Sequence, residues 1–179
     1  MTLMRRVDTP LGGVTLLSDG ESLTWLLLDG QRYFPKALVR EAAEAACPVF
    51  EEAKRWLEAY FSGQIPDFMP PLAPRGTPFR RAVWSLLLTI PYGQTVTYGE
   101  LAERIAGQLD IPRMSAQAVG GAVGHNPIPL IIPCHRVIGA DGRLTGYGGG
   151  LERKRALLRL EGIDLDFPAP GGYNGRKTI

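Results

Sequence analysis

Apolar positions come in short runs near the start of the chain and at helical spacing through most of the rest. Val14-Thr15-Leu16-Leu17 and Leu23-Thr24-Trp25-Leu26-Leu27-Leu28 flank Ser18-Asp19-Gly20, and Asp29-Gly30 closes the second run. Two β-favouring segments about a glycine turn predict a hairpin within residues 5–30. Ala37 to Ala46 can form a short helix. Pro48 opens a firmer one, in which Phe50, Ala53, Trp56-Leu57 and Tyr60-Phe61 recur at helical spacing until Ser62-Gly63. Those aromatics read as core.

Residues 65–76 hold four prolines and no helical period, which predicts a stiff linker. It divides an N-terminal β/α unit, residues 1–74 with the linker, from a C-terminal unit, residues 75–179. Thr77-Pro78 then supplies an N-cap and a first-turn proline. Phe79, Ala82, Val83, Leu86, Leu87 and Ile90 follow on one helical face, and Pro91-Tyr92-Gly93 ends it. Thr97 and Glu100 fit a capping box opening a helix to about Ile105. After a loop, Ser115 caps Ala116 to Gly124, a segment with three glycines that is a poor helix by propensity. Helix, loop and small-residue helix suggest a helix-turn-helix. Close packing of that second helix inside the protein explains its composition equally well.

Downstream, Ile138 to Leu144 reads as a turn and Thr145 to Gly150 as a glycine-rich loop able to approach a ligand closely. Glu152 to Leu160 is a last helix. Its leucines face the core, and Arg153, Lys154, Arg155 and Arg159 face largely towards water. Residues 163–179, rich in glycine and proline, are expected to form a loose tail.

Composition narrows the class without naming a function. A chain of 179 residues with 45% hydrophobic content can fill real cores. No apolar run reaches bilayer-spanning length and the N-terminus lacks a signal-peptide pattern, so an intracellular, soluble protein is expected. A net charge of +2 does not by itself announce a nucleic-acid binder. Cys47 and Cys134 could pair, but nothing else suggests an oxidising compartment. Two cysteines and two histidines at these spacings argue against a zinc site.

The chemistry concentrates between Asn126 and Val137. Pro127, Pro129 and Pro133 stiffen the approach to Cys134, and Leu130-Ile131-Ile132 should be a buried, strand-like support. His135 follows directly, and a neighbouring imidazole commonly lowers a cysteine pKa. A buried apolar cysteine beside a core histidine fits the same pair of letters.

Pro133-Cys134-His135-Arg136-Val137, with Asn126-Pro127 upstream and Gly146-Tyr147 downstream, resembles the active-site signature of the O6-alkylguanine-DNA alkyltransferases. The likeness runs from about Pro74 to Gly162; the first seventy-odd residues match only in layout. It implies an α+β / α/β protein, with a ribonuclease-H-like N-terminal domain and a mainly helical alkyltransferase domain carrying a helix-turn-helix. It also implies direct repair, in which the alkyl group of O6-methylguanine in double-stranded DNA passes irreversibly to Cys134, and it leaves O4-methylthymine open. On that resemblance His135 is the base, acting through a water, Glu161 orients it and Asn126 braces the loop. Tyr98 would donate to the guanine ring and the main chain at Cys134 and Val137 would accept from its amine. The Gly148 amide would face O6, with Tyr147 and Pro129 as pocket walls. Gln117, Ala118, Gly120 and Gly121 would meet the minor groove around a flipped base. No cofactor, no metal and no obligatory protein partner are implied, and a cytoplasmic monomer is expected.

One position departs from the pattern. Gln117 stands where relatives carry an arginine before Ala-Val-Gly, and the preceding loop is several residues longer. Arg113, about one turn earlier, is the candidate substitute. Weaker or altered lesion extrusion is the expected consequence. A lesion-binding protein without repair activity, a cysteine hydrolase and a plain helix-turn-helix regulator remain the alternative readings.

Overall fold

The structure, a computed structural model, describes residues 1–165. The expected tail falls almost wholly outside the described residues. The N-terminal half contains an antiparallel meander of β1 (Leu3–Thr9), β2 (Gly12–Ser18) and β3 (Leu23–Leu28). The predicted hairpin is the β2–β3 pair; β1 extends it through a second tight turn at Pro10-Leu11. The helix expected between Ala37 and Ala46 is shorter. It is α1 (Lys36–Glu41), which yields to β4 (Ala43–Glu44), parallel to β1 at the far edge in the order β3-β2-β1-β4. α2 (Pro48–Phe61) covers one face of this sheet. Its Phe50, Ala53, Leu57 and Tyr60 are buried in the same cluster as Val14, Leu16, Leu26 and Leu28.

The proline-rich segment is not a free spacer. Leu23 N–H donates to the Pro71 carbonyl at 2.8 Å and Ala73 N–H to the Leu23 carbonyl at 2.9 Å, so the segment closes the open edge of β3. Further along that edge, Leu26 N–H donates to the Pro127 carbonyl at 2.9 Å. The N-terminal sheet is thus bonded to the loop that carries Cys134.

In the C-terminal half, α3 (Pro78–Leu87) starts at Thr77, whose hydroxyl accepts from Arg80 N–H. α4 (Tyr98–Gln108) starts at the Thr97–Glu100 capping box, with both reciprocal bonds formed. α5 (Ala116–Gly124) starts at Ser115, whose hydroxyl accepts from the Gln117 and Ala118 N–H groups. α5 packs on both α3 and α4 through Val119, Ala122 and Val123, and the Trp84 indole donates to the Ala122 carbonyl at 2.9 Å. The glycine-rich helix therefore serves both readings: one face is core, while Gln117, Ala118, Gly121 and Gly124 are exposed. β5 (Val96–Thr97) and β6 (Val137–Ile138) form a short parallel pair, and α6 (Leu151–Leu160) closes the domain.

Two expectations about the core need correcting. Leu130-Ile131-Ile132 is buried, but it is a turn and not strand-like. Ile132 N–H bonds back to the Ile128 carbonyl, and Leu130 takes a positive φ of 74°. Prolines on both sides forbid continuous pairing along this segment, so it curls under the core instead. Lys154, expected towards water, is fully buried. Its ammonium donates to the Val137 carbonyl at 2.6 Å and the Thr145 carbonyl at 3.0 Å, which supplies the partners a buried charge requires.

Candidate active site

Cys134 is presented by two consecutive tight turns. Pro133, at φ −81° and ψ 63°, centres an inverse γ-turn closed by Cys134 N–H on the Ile132 carbonyl at 2.8 Å. Cys134–Arg136 is then one turn of 3-10 helix leading into β6. Asn126 holds the approach from within. Its Nδ2 donates to the Ile132 carbonyl at 2.7 Å and its Oδ1 accepts from Ile128 N–H at 3.0 Å. The same side chain lies close enough to the Cys134 thiol to favour its anionic form.

The turn sends neighbouring side chains to different places. Cys134 lines a cavity of about 120 Å³ together with Asn126, Pro129, Tyr147 and Gly148. His135 points inward and is fully buried. Its Nε2 lies 2.6 Å from Glu161 Oε1. Burial works against the Glu161 charge, but hydrogen bonds from His135 and Arg136 prevail and hold its pKa at about 2. A carboxylate only accepts, so His135 Nε2 carries the proton and Nδ1 keeps the lone pair. Nδ1 is buried without a partner among the described residues.

Glu161 gathers more than the histidine. Arg136 donates to it through Nε at 2.8 Å and Nη2 at 3.1 Å, and Gly93 N–H donates at 3.0 Å. Tyr60 donates to Oε1 at 2.7 Å. Gly93 has a φ of 75°, and a Cβ there would come within 3.2 Å of the Glu161 carbonyl, so glycine is required for this approach. Arg136 is held in turn by the Ile90 carbonyl and the Tyr92 ring.

The titration directions modify one expectation. Adjacency to His135 predicted a lowered cysteine pKa, yet burial pushes the Cys134 thiol up. Asn126 and the Lys154 ammonium pull it back down, but burial outweighs them. Burial likewise lowers His135, against the opposing pull of Glu161. The resting pair is a neutral thiol and a neutral imidazole. Lys154, pushed down to about 8 by burial, is the buried cation that would answer a thiolate. Cys47 is a free thiol, so no disulfide with Cys134 forms.

The other expected site residues divide into four groups. Tyr98, Gly120, Gly121, Tyr147 and Gly148 line a second cleft of about 220 Å³ that shares Tyr147 and Gly148 with the cysteine cavity. Tyr98 donates to the Thr145 carbonyl at 3.2 Å, and burial keeps its phenol protonated. Gln117 and Ala118 are exposed at the start of α5 and line neither space. Arg113 is exposed and lines a separate groove with Ala102 and Ala106 of α4. Val137 is fully buried, and its carbonyl is already bonded by Lys154.

Several residues at the site carried no functional signal in the sequence. Tyr60 read as a core aromatic, and Lys154 read as a solvated charge. Arg136 stood inside the motif without a role. Arg32 and Tyr33 also reach the cleft from the N-terminal half. Arg32 N–H donates to the Gly148 carbonyl at 2.8 Å, and Tyr33 stacks on His125 at 5.3 Å. Arg136 apart, only long-range folding brings these groups to the site.

Comparison with known proteins agrees with this geometry. Residues 78–163 match the family model "6-O-methylguanine DNA methyltransferase, DNA binding domain", and residues 3–74 match its "ribonuclease-like domain". A methylated-DNA–protein-cysteine methyltransferase of Methanosarcina barkeri is 55% identical over 162 residues, covering 89% of this chain and 96% of that one. One from Mycobacterium bovis is 49% identical over 157 residues, covering 88% and 90%. The crystal structure of Mycobacterium tuberculosis OGT in complex with DNA superposes with a TM-score of 0.77 at 47% identity, covering 88% of this chain and 91% of that chain. An α+β chain with a ribonuclease-like N-terminal unit and a helical DNA-binding unit that holds one buried thiol, it belongs to the 6-O-methylguanine DNA methyltransferase family.

Proposed function

We propose that this chain repairs O6-alkylguanine in double-stranded DNA by moving the alkyl group to Cys134, once per molecule. The carrying observation is the division of labour across one turn: Cys134 faces the cavity while His135, locked on Glu161, keeps Nδ1 free as a base. His135 Nδ1 takes the thiol proton through one water as the sulfur attacks the alkyl carbon. The C–O6 bond breaks, the S–C bond forms and the electron pair returns to the purine. The proton lost by the thiol balances the one the restored guanine carries. Tyr98, kept neutral by burial, donates to the ring so that the base leaves uncharged. The positive charge on Lys154 favours the thiolate during attack. A thioether is not displaced again, which makes the event stoichiometric.

The base must leave the duplex to reach Cys134, at a stacking cost of about a few kcal/mol. The exposed face of α5 suits a minor groove. A Cβ at Gly121 or Gly124 would meet no protein atom within 4 Å, so internal packing does not require glycine at either position. Close approach of a DNA backbone does. Gln117 at the start of that helix fills the gap left by the base, with Ala118 and Gly120 beside it. The working unit is a cytoplasmic monomer divided near residues 74–75, with no cofactor and no protein partner.

Intact-protein mass after mixing with a duplex bearing one O6-methylguanine tests this. A gain of one methylene in the wild type, none in Cys134→Ala and no second addition is the expected result. Tight lesion binding without a mass change would replace repair by damage sensing.

A further inference from the structure

Tyr60 belongs to α2 of the N-terminal half, yet its hydroxyl ends within the charged cluster of the other half. It donates to Glu161 Oε1 at 2.7 Å and lies 3.2 Å from His135 Nε2. The ring is clamped: Trp56 stacks on it at 5.2 Å, and Phe61 and Tyr92 meet it edge-on at 5.5 and 6.0 Å. Phenylalanine would satisfy that packing. A buried hydroxyl is costly unless it is bonded, so the oxygen needs a reason of its own.

Glu161 Oε1 accepts from His135, from Tyr60 and, at 3.1 Å, from Arg136 Nη2. An acceptor already engaged by one donor pulls less strongly on the next. We propose that Tyr60 is a positioning residue for alkyl transfer, sharing Glu161 Oε1 with His135 so as to fix the imidazole and limit its basicity. The inference rests on the alkyl-transfer reading above and extends it to the N-terminal unit, which then takes part in reactivity and not only in support. The remaining groups about the imidazole are Arg136 on its own turn, Lys154 on α6, Cys134 beside it, and Tyr92 and Tyr147 near the Tyr60 hydroxyl. Arg136 and Lys154 oppose imidazole protonation and Glu161 favours it. Among the described residues, Tyr60 is the one group outside the C-terminal half that hydrogen-bonds Glu161.

The test is Tyr60→Phe in the full chain, with three readouts. Single-turnover methyl transfer from an O6-methylguanine duplex should slow about tenfold, as expected for one charge-assisted hydrogen bond. The His135 imidazole NMR titration midpoint should move upward, because Glu161 then pulls harder on Nε2–H. Affinity for an undamaged duplex should not change. A fluorinated tyrosine placed at position 60 keeps the shape with a more acidic hydroxyl, so it should move the midpoint the other way even if Tyr60→Phe folds poorly. An unchanged rate or an unchanged midpoint in a folded variant overturns the proposal. Loss of methyl transfer in the wild type would instead overturn the reading on which it rests.

Discussion

Arg136 Nε lies 2.8 Å from Glu161 Oε2, with both side chains withdrawn from solvent. A buried ion pair of this kind is weak evidence of net stability, but removing one member leaves an uncompensated charge. Here the pair also fixes the carboxylate that His135 bonds, so on the proposed mechanism stability and reactivity share one residue.

Glu161→Gln should therefore lose both. Stability should fall by about 3–5 kcal/mol, read by urea unfolding. Methyl transfer should drop by roughly 10²–10⁴-fold, the usual contribution of a positioned base. The acid limb offers a separate check. Glu161 has a folded pKa of about 2, below its ordinary 4.5, so its stabilisation is complete above 4.5 and lost as pH falls through about 2. The wild type should weaken across that window, and Glu161→Gln should lack this component.

Lys154→Met should raise the pH at which Cys134 reacts with iodoacetamide, since the ammonium favours the thiolate. The Val137 and Thr145 carbonyls also lose their shared donor, at a cost of about 1–3 kcal/mol. A solvated lysine would give neither effect. Unchanged alkylation kinetics would mean that Lys154 serves the backbone alone.

Asn126→Ala strips the Ile132 carbonyl and Ile128 N–H of their partner within the turn. We expect a loss of about 2 kcal/mol, or roughly 4–8 °C in Tm by calorimetry. Alkyl transfer should also slow, because the same amide favours the anionic sulfur.

Gln117→Arg should strengthen binding to lesion duplexes, because position 117 is exposed on the proposed DNA face. One added phosphate contact steepens the salt dependence of log K by about 1. Stability should stay within about 0.5 kcal/mol. Equal affinity, salt slope and repair rate in both proteins would remove Gln117 from the lesion-extrusion account.

Much of the molecule was legible locally. Thr77-Pro78, the Thr97–Glu100 box and Ser115 announced three helix starts, because capping is settled by residues two or three positions apart. Periodicity located α2 and α3, and the Pro-Cys-His-Arg-Val motif located the candidate nucleophile. Local pattern failed where distant groups decide an environment. Leu130 to Ile132 has strand composition, yet flanking prolines and the Asn126 side chain bend it into a turn. Lys154 sits among charges on its helix, yet two backbone carbonyls from elsewhere in the fold draw it inside. Tyr60 reads as one more apolar ring, and its hydroxyl acquires meaning only when α2 lies against Glu161, 101 positions away in the chain. Sequence by itself determined the family, most of the helices and the candidate thiol. The tertiary structure decided what surrounds that thiol, because burial, donor sharing and charge compensation arise among residues that meet only once the two halves close on each other.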